Sequence, residues 1–599
     1  MTQPSAPPLL QVKDLVVTIP QGQQRVSVVD GIGFDLKVGE TLGIVGESGS
    51  GKTMTALALM GLTPTPAIVS GSAWLTPPQG NRVNLLDSSA RPKQTYRGRQ
   101  VGMVFQDPGQ SLNPVYSCGY QLQETLRTHL SMNQREAEQR AADLFAEVQL
   151  PSALLRRYPH QLSGGQRQRV AIACAIACDP CLLIADEPTT ALDVTIQAEI
   201  LKLLRQLQEQ RQMSILLISH DWGVVAELAD QVLVMYGGKK VEAAPISSVF
   251  AHPQHPYTQG LLACRPVLGR RLHRLPTTED WVRTMRRQDG QLEMPTSSIP
   301  LQPLPLLEVS SGEMSIRLQR LQSRPPLLQV EGLQVHFPMR GVWRQRIGDI
   351  RAVDDISFQI YPGETLGVVG ESGSGKSTLG RTILRLTQAT AGSIRYDGED
   401  WLALSRQRLR QRRREIQLVF QDPTAALDPR LTVGESVLEP MILHRLGDNS
   451  MVRRQRAEEL FIKVGLDPQA LSRMPHEFSG GQRQRICIAR ALASQPRLLI
   501  CDEAVSSLDV SVQAQVLNLL KQLQTDLDLT YLFISHDLSV VQFMSDRILV
   551  MNRGRLEEIA PADQLYRDPQ REYTRQLLAA IPTGDPQRRH ISSLTARDP

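Results

Sequence analysis

The chain has 599 residues, of which 41% are hydrophobic and 21% charged, and a formal net charge of +5. That length is too great for one hydrophobic core, the composition is ordinary for a soluble globular protein, and so small a positive surplus does not argue for a nucleic-acid partner. No run of about 18 uncharged apolar residues occurs, which excludes a spanning helix. Met1 to Pro8 lacks the basic and apolar pattern of a signal peptide. The seven cysteines sit mostly in apolar settings, such as Ala173-Cys174 and Ile500-Cys501, and read as small buried hydrophobes of a cytosolic protein. Cys174, Cys178 and Cys181 have no suitably close histidine or fourth cysteine, so no metal is expected there.

In chain order, Leu9-Leu10-Gln11-Val12 opens an alternating, strand-like run. The apolar run Leu42 to Val45 then leads into Gly46-Glu47-Ser48-Gly49-Ser50-Gly51-Lys52-Thr53, and Met54 to Met60 reads as a helix. Strand, glycine-rich loop and helix make the context of a phosphate-binding loop. Its glycines let backbone N–H groups turn inward around phosphate oxygens, and the helix N-terminus adds its positive end. Lys52 is placed to reach the β- and γ-phosphates, and Thr53 to offer a hydroxyl to Mg²⁺.

Further on, a strand-like run ends at Phe105, just before Gln106. A helix-rich insert extends from there to Ser163, with Ala141, Leu144, Phe145 and Val148 at i, i+3, i+4 and i+7. Leu162-Ser163-Gly164-Gly165-Gln166 then heads a helix rich in alanine and arginine, a start suited to holding an anion. The apolar strand Leu182 to Ala185 delivers Asp186 and Glu187. The first is suited to holding Mg²⁺, the second to orienting and deprotonating an attacking water. His220 comes after another strand-like run, Ile215 to Ser219. Alternating strands and helices predict an α/β core with a helical subdomain.

The whole pattern then recurs. Lys52 and Lys376 stand 324 positions apart, and from Ala141 onward the offset settles at 316. The second phosphate loop is Gly370-Glu371-Ser372-Gly373-Ser374-Gly375-Lys376-Ser377. Gln421, Phe478-Ser479-Gly480-Gly481-Gln482, Asp502-Glu503 and His536 repeat the later motifs. Residues 1–267 and 327–582 are thus expected to be two equivalent domains, with a proline-rich, partly extended linker at 268–326 and a poorly ordered tail at 583–599. Within the linker, Met314 to Leu321 reads as a short helix.

With Ala191-Leu192-Asp193 ahead of His220 and Ser507-Leu508-Asp509 ahead of His536, these make six motifs, in this order and twice over, and they resemble an ABC-type ATPase across nearly the whole chain. The resemblance implies two tandem P-loop domains, each a RecA-like α/β core with a helical subdomain, sandwiching two ATP molecules head to tail. Lys52, Thr53, Gln106, Asp186, Glu187 and His220 would then work with Ser479 and Gly481, and Lys376, Ser377, Gln421, Asp502, Glu503 and His536 with Ser163 and Gly165. Thr53, Gln106, Asp186, Ser377, Gln421 and Asp502 would hold Mg²⁺. Glu187 and Glu503 would be the bases, His220 and His536 would hold the γ-phosphate, and Asp193 and Asp509 would link the sites. The family stacks an aromatic residue on the adenine, from a strand ahead of the loop. Phe337 takes that position in the second half, and Ile19 in the first.

Tyr158-Pro159-His160-Gln161, Met474-Pro475-His476-Glu477, His255-Pro256-Tyr257-Thr258 and Glu572-Tyr573-Thr574 narrow the resemblance to the ATPases of peptide and nickel importers. The fused form, with Asp502-Glu503-Ala504-Val505-Ser506, is most similar to members that import glutathione. This implies two transmembrane permease partners, a periplasmic solute-binding protein and a peripheral place on the cytoplasmic face of the inner membrane. Some relatives carry an iron–sulfur cluster after the tyrosine-threonine motif. Only Cys264 is available here, so none is expected. The competing expectation is a soluble twin ATPase acting on ribosomes or DNA, through the basic run Arg406 to Arg414. Such a run is more often a solvated helix face.

Overall fold

The computed structural model describes residues 7–21, 24–78, 80–87, 96–190, 192–282, 307–340, 346–506 and 508–581. In each half a six-stranded sheet carries the motifs. Its order in the first half is Lys239–Pro245, Gln231–Tyr236, Thr41–Val45, Ser214–Ile218, Leu182–Asp186, Val101–Val104. All neighbours are parallel except the first pair. The central strands Thr41–Val45, Ser214–Ile218 and Leu182–Asp186 are buried along their whole length. That is why they read as unbroken apolar runs: helices cover both faces of a parallel sheet. Parallel strands also end on one side, so the phosphate loop, Gln106, Asp186-Glu187 and His220 all emerge at the same carboxyl edge.

A second, antiparallel sheet joins Gln24–Leu36, Leu10–Gln21, Ile68–Leu75 and Val83–Asn84. It shares an apolar core with the main sheet and with helix α1 (Lys52–Met60). The insert consists of Cys118–Leu130 and Gln134–Glu147, each opened by a side-chain cap, Ser117 and Asn133. Ala141, Leu144, Phe145 and Val148 are fully buried, as their spacing predicts. Helix α2 (Gly164–Ile176) and helix α3 (Val194–Arg211) complete the unit.

The second half repeats this plan, with main-sheet order Ile416–Val419, Leu498–Asp502, Thr530–Ile534, Thr365–Val369, Arg547–Asn552, Arg555–Pro561. Its corresponding helices are α4 (Lys376–Ile383), α5 (Gly480–Leu492) and α6 (Val510–Leu527). The basic run forms the helix Arg406–Arg412 and the turn after it. Arg408 and Arg412 pair with Glu399, and Arg412 also with Glu415.

The described parts of the segment between the halves pack mainly onto the second half, while Trp281 lies against Gly260 of the first. Leu272 and Leu275 belong to its hydrophobic core. Leu275 N donates to Asn518 Oδ1 at 2.9 Å, and Asn518 Nδ2 donates back to Leu275 O at 2.8 Å. Thr278–Val282 forms a short helix. The helix expected around Met314 to Leu321 spans Ser311–Gln322, closed at its start by a reciprocal Ser310 and Glu313 cap. Arg317 ties it to Asp546 at 2.8 Å. The extended reading of the proline-rich stretch falls largely on 283–306, and the tail reading on 583–599. Both lie outside the described residues, as do Ala191 and Ser507.

Candidate functional site

The phosphate loop wraps its own lysine. Lys52 Nζ donates to Gly46 O at 2.8 Å and to Glu47 O at 2.9 Å. Lys376 makes the same bonds to Gly370 O and Glu371 O, at 2.7 and 2.9 Å. Gly51 precedes α1 at φ 98°, and a β-carbon there would lie 2.4 Å from Val28 O. Only glycine meets both the left-handed backbone and the close approach. Behind each loop stands a tyrosine. Tyr257 OH accepts from Glu47 N at 3.0 Å, and Tyr573 OH from Glu371 N at 3.3 Å. The offset of 316 between these tyrosines marks them as equivalent, without revealing that they brace the loop.

Around the loop the strand ends converge. Thr53 Oγ1 donates to Asp186 Oδ1 at 3.2 Å, and Ser377 Oγ to Asp502 Oδ1 at 2.8 Å. Hydroxyl, carboxylate and amide oxygens gathered at a phosphate loop suit a hard divalent cation. Burial, with the charge of Glu187 beside it, pushes the Asp186 carboxyl up to about 6, and burial raises Asp502 as well. Gln106 Nε2 donates to Glu187 Oε2 at 2.8 Å, and Gln421 Nε2 to Glu503 Oε2 at 2.7 Å. His220 Nδ1 lies 3.1 Å from Glu187 Oε1, and His536 Nδ1 3.5 Å from Glu503 Oε2. Burial favours protonated Glu187, but the hydrogen bond and charge of His220 outweigh it and hold this carboxyl down at about 2. Glu503 is lowered in the same way by His536. Both glutamates take a left-handed backbone at φ 49°. A residue with a β-carbon adopts that at a cost of roughly 1–2 kcal/mol. Such strain, present at the same place in both halves, is characteristic of a site where a side chain must be aimed.

The halves face each other head to tail. Asp509 Oδ2 accepts from Ser48 N at 3.3 Å, and Asp193 Oδ2 from Ser372 N at 3.3 Å. A cavity of about 1140 Å³ is walled by Ser48, Lys52, Thr53, Gln106, Glu187 and His220 of the first half and by Ser479, Gly481 and Asp509 of the second. Ser479 heads α5 in a reciprocal cap, accepting from Gln482 N at 3.3 Å. Gly481 lets this helix approach α6, because a β-carbon there would stand 2.2 Å from Val512 Cγ1. The second cavity, about 490 Å³, is walled by Lys376, Ser377, Gln421, Glu503 and His536 with Asp193 across the interface. Ser163 caps α2 as Ser479 caps α5, but Ser163 and Gly165 are not among this cavity's walls. Phe337 pairs with Ile350 across the antiparallel sheet and is 43% exposed. Ile350 and Arg351 do wall the cavity. Ile19 pairs with Val26 in the equivalent register of the first half.

The segment between the halves also reaches the larger cavity, through Thr278 and Glu279. Thr278 Oγ1 donates to Glu47 Oε1 at 2.9 Å and lies 2.6 Å from Ser511 Oγ. Motif reading passes over both residues. They belong to no repeated pattern and come shortly after a proline.

The model of the ABC transporter family matches residues 29–190 and 353–506, more than half of the chain. The chain belongs to the ABC transporter ATPase family. It binds ATP and is an ATP-hydrolysing transport ATPase with two tandem ABC domains. The model of the oligopeptide/dipeptide transporter C-terminal region also matches, at 241–290 and 558–599. The glutathione import ATP-binding protein of Pectobacterium atrosepticum is 46% identical over 593 residues, covering 97% of this chain and 90% of that relative. That of Escherichia coli O157:H7 is 45% identical over 602 residues, covering 98% and 92%. Among solved structures, a dimeric ATP-binding cassette in a post-hydrolysis state bound to ADP and Pi is 31% identical, with a TM-score of 0.36, and covers 39% of this ABC ATPase and 98% of its own chain. Among the described residues no helix is long and apolar enough to cross a membrane. An ABC import ATPase of this kind works with membrane-embedded permease partners.

Proposed function

We propose that this ABC ATPase energises import of a peptide-like solute, with glutathione the first candidate, by hydrolysing ATP at two composite sites between its halves. The observation that carries the composite reading is the Lys52 cavity, whose walls come from both halves. The solute rests on the names of the relatives. Deleting the gene should abolish growth on glutathione as the sole sulfur source while leaving growth on sulfate intact. Unchanged growth on glutathione would overturn the choice of solute.

In this reading the loops 46–53 and 370–377 cradle the phosphates, and Ser479 and Gly481, or Ser163 and Gly165, close on them from the opposite half. Thr53, Gln106 and Asp186, and Ser377, Gln421 and Asp502, hold Mg²⁺, which neutralises charge on the phosphates when bound. Glu187 and Glu503 orient and deprotonate the attacking water, with His220 and His536 at the γ-phosphate. We place the domains at 1–267 and 327–582, joined by the segment 268–326 and ending in the tail 583–599. No iron–sulfur cluster is proposed, since Cys264 is a buried member of the second half's hydrophobic core.

Phe337 is proposed to cover the adenine in the second half, and Ile19 in the first. Aromatic stacking on a base is worth roughly 1–3 kcal/mol. Ile19→Phe should therefore tighten ATP binding at the Lys52 site, and Phe337→Ala should weaken the other site, each toward the low end of that range. Titration of each variant with a fluorescent ATP analogue checks this. Equal affinities at the two sites, unmoved by Ile19→Phe, would remove the idea.

The helical inserts are proposed to dock on two transmembrane permeases at the cytoplasmic face of the inner membrane, with a periplasmic binding protein delivering the solute and no nucleic acid involved. Exposed apolar side chains support this. Val115 is 70% exposed beside the stacked pair Tyr116 and Tyr120, and in the second insert Met451 is 79% and Ile462 64% exposed. Gln106 and Gln421 begin these inserts and touch the proposed bases, so nucleotide state reaches the docking surface directly. Photo-crosslinkers at Val115 and Met451 should capture permease cytoplasmic loops. Crosslinks to ribosomal or other soluble proteins alone would refute the transporter assembly.

A further inference from the structure

The two halves differ at one arginine in the helix that Ser163 or Ser479 heads, buried in the first half and half-buried in the second. In the first half Arg169 of α2 donates to Val148 O at 3.1 Å, to Gln149 Oε1 at 2.9 Å and to Glu199 Oε2 of α3 at 2.7 Å. The equivalent Arg485 of α5 donates to Val464 O at 3.3 Å and to Gln515 Oε1 of α6 at 2.7 Å. The offset of 316 sets Gln515 where Glu199 stands, so the carboxylate has been replaced by an amide. A half-buried guanidinium left without a carboxylate partner is under-compensated. The compensating charge comes from elsewhere in the chain. Gln515 Nε2 donates to Glu279 Oε1 at 3.2 Å, completing the series Arg485, Gln515, Glu279. The Glu279 charge also acts on Arg485 directly, opposing the effect of burial.

One face of α6 is built to receive this segment. Ser511, Gln515, Asn518 and Lys521 recur at helical spacing along it, and they meet Thr278, Glu279, Leu275 and Leu272 in turn. At the corresponding places α3 carries Thr195, Glu199, Lys202 and Arg205, and Arg205 bonds instead to Glu227 O. The contacts end at the larger cavity, where Glu279, Gln515 and Arg485 stand among the walls with Ser479, Gly481 and Lys52.

We propose that Glu279 is a positioning residue for the ATP site at Lys52, supplying from the segment between the halves the carboxylate that Glu199 supplies within the first half. It fixes Arg485 through Gln515, and Arg485 lies within two turns of Ser479 at the head of α5. The Lys376 site receives no such group from 268–282. The two sites are therefore held by different means, and the segment that joins the halves is part of one of them. This rests on the composite reading of the Lys52 cavity.

The test is a charge exchange in the full chain, read as the affinity for a fluorescent ATP analogue. Lys376→Ala isolates the Lys52 site, and Lys52→Ala isolates the other. In the first background, Glu279→Gln should weaken binding roughly three- to ten-fold, the net scale of one ordinary intramolecular hydrogen bond. Gln515→Glu alone should also weaken it, by setting two carboxylates together. Glu279→Gln with Gln515→Glu should restore it, because Arg485 then has the direct partner that Arg169 has. In the Lys52→Ala background none of these changes should matter. Absence of an effect of Glu279→Gln, an equal effect in both backgrounds, or failure of the double variant to recover would each overturn the proposal. Ser479→Asp in the Lys376→Ala background separates the two readings. If it leaves binding intact, the composite site itself falls. If it weakens binding while Glu279→Gln does not, only the role of Glu279 falls.

Discussion

Replacing Glu187 and Glu503 together by glutamine is expected to abolish steady-state ATP hydrolysis while leaving ATP binding intact. The local geometry favours so clean a result. Each glutamate lies at φ 49°, and glutamine has the same stem, so the backbone cost does not change. The amide oxygen still accepts from Gln106 or Gln421, at the positions now occupied by the carboxylate oxygens. The charge alone disappears. Both carboxyls are held below their ordinary range by the neighbouring histidines, so both are ionised at neutral pH and able to take a proton. General-base catalysis contributes typically 10²–10⁴-fold, so turnover should fall by at least about 100-fold. Binding should not suffer, because the change removes a negative charge close to Lys52 and Lys376, where a triphosphate would sit. Phosphate release and equilibrium nucleotide binding, measured on the same preparation, check both halves of the statement. Undiminished hydrolysis would remove the assignment of the bases.

Much of this site is legible in the sequence. Buried parallel strands are apolar at every position, so Leu42 to Val45 and Leu182 to Ala185 declare themselves, and the residues just beyond such a strand stand at the sheet's carboxyl edge. The loop, the acids and the histidines can be read as one site because that edge is shared. The repeat adds the second copy and the head-to-tail pairing. The segment after Leu268 is harder. Its contacts with α6 are made by backbone groups of Leu272 and Leu275, a threonine and a glutamate, none of which has a period or a motif. Its signal lies in the other partner, in the polar residues of α6 that replace those of α3 along one face. Only comparison of the halves helix by helix would find it. The left-handed turn at Glu187 and Glu503 is equally invisible, since glutamate is not a residue that announces positive φ.

Ser479→Asp is expected to disable the Lys52 site while leaving the fold intact. Aspartate caps a helix as well as serine does, and α5 needs a side-chain acceptor for Gln482 N. A negative charge at a helix N-terminus is also favourable to the helix itself. The melting temperature should therefore stay near that of the parent. The nucleotide meets a different surface. Ser479 walls the same cavity as Lys52 and Thr53, so the variant sets a carboxylate where the positive end of α5 faces bound phosphates. Two unit charges about 4 Å apart interact by roughly 4 kcal/mol at the effective dielectric of a protein surface. Relaxation and counterions reduce that, so about 1.4–2.8 kcal/mol, a 10- to 100-fold loss of ATP affinity, is the expected scale. The loss should fall on the site whose phosphate loop lies in the other half. With Lys376→Ala as background, Ser479→Asp should weaken ATP binding. With Lys52→Ala as background it should change little, although Ser479 and Lys376 belong to the same half of the chain. A loss confined to the Lys376 site, or affinity retained at Lys52, would show that the motif serves its own half, and the head-to-tail arrangement of the two ATP sites would have to be given up.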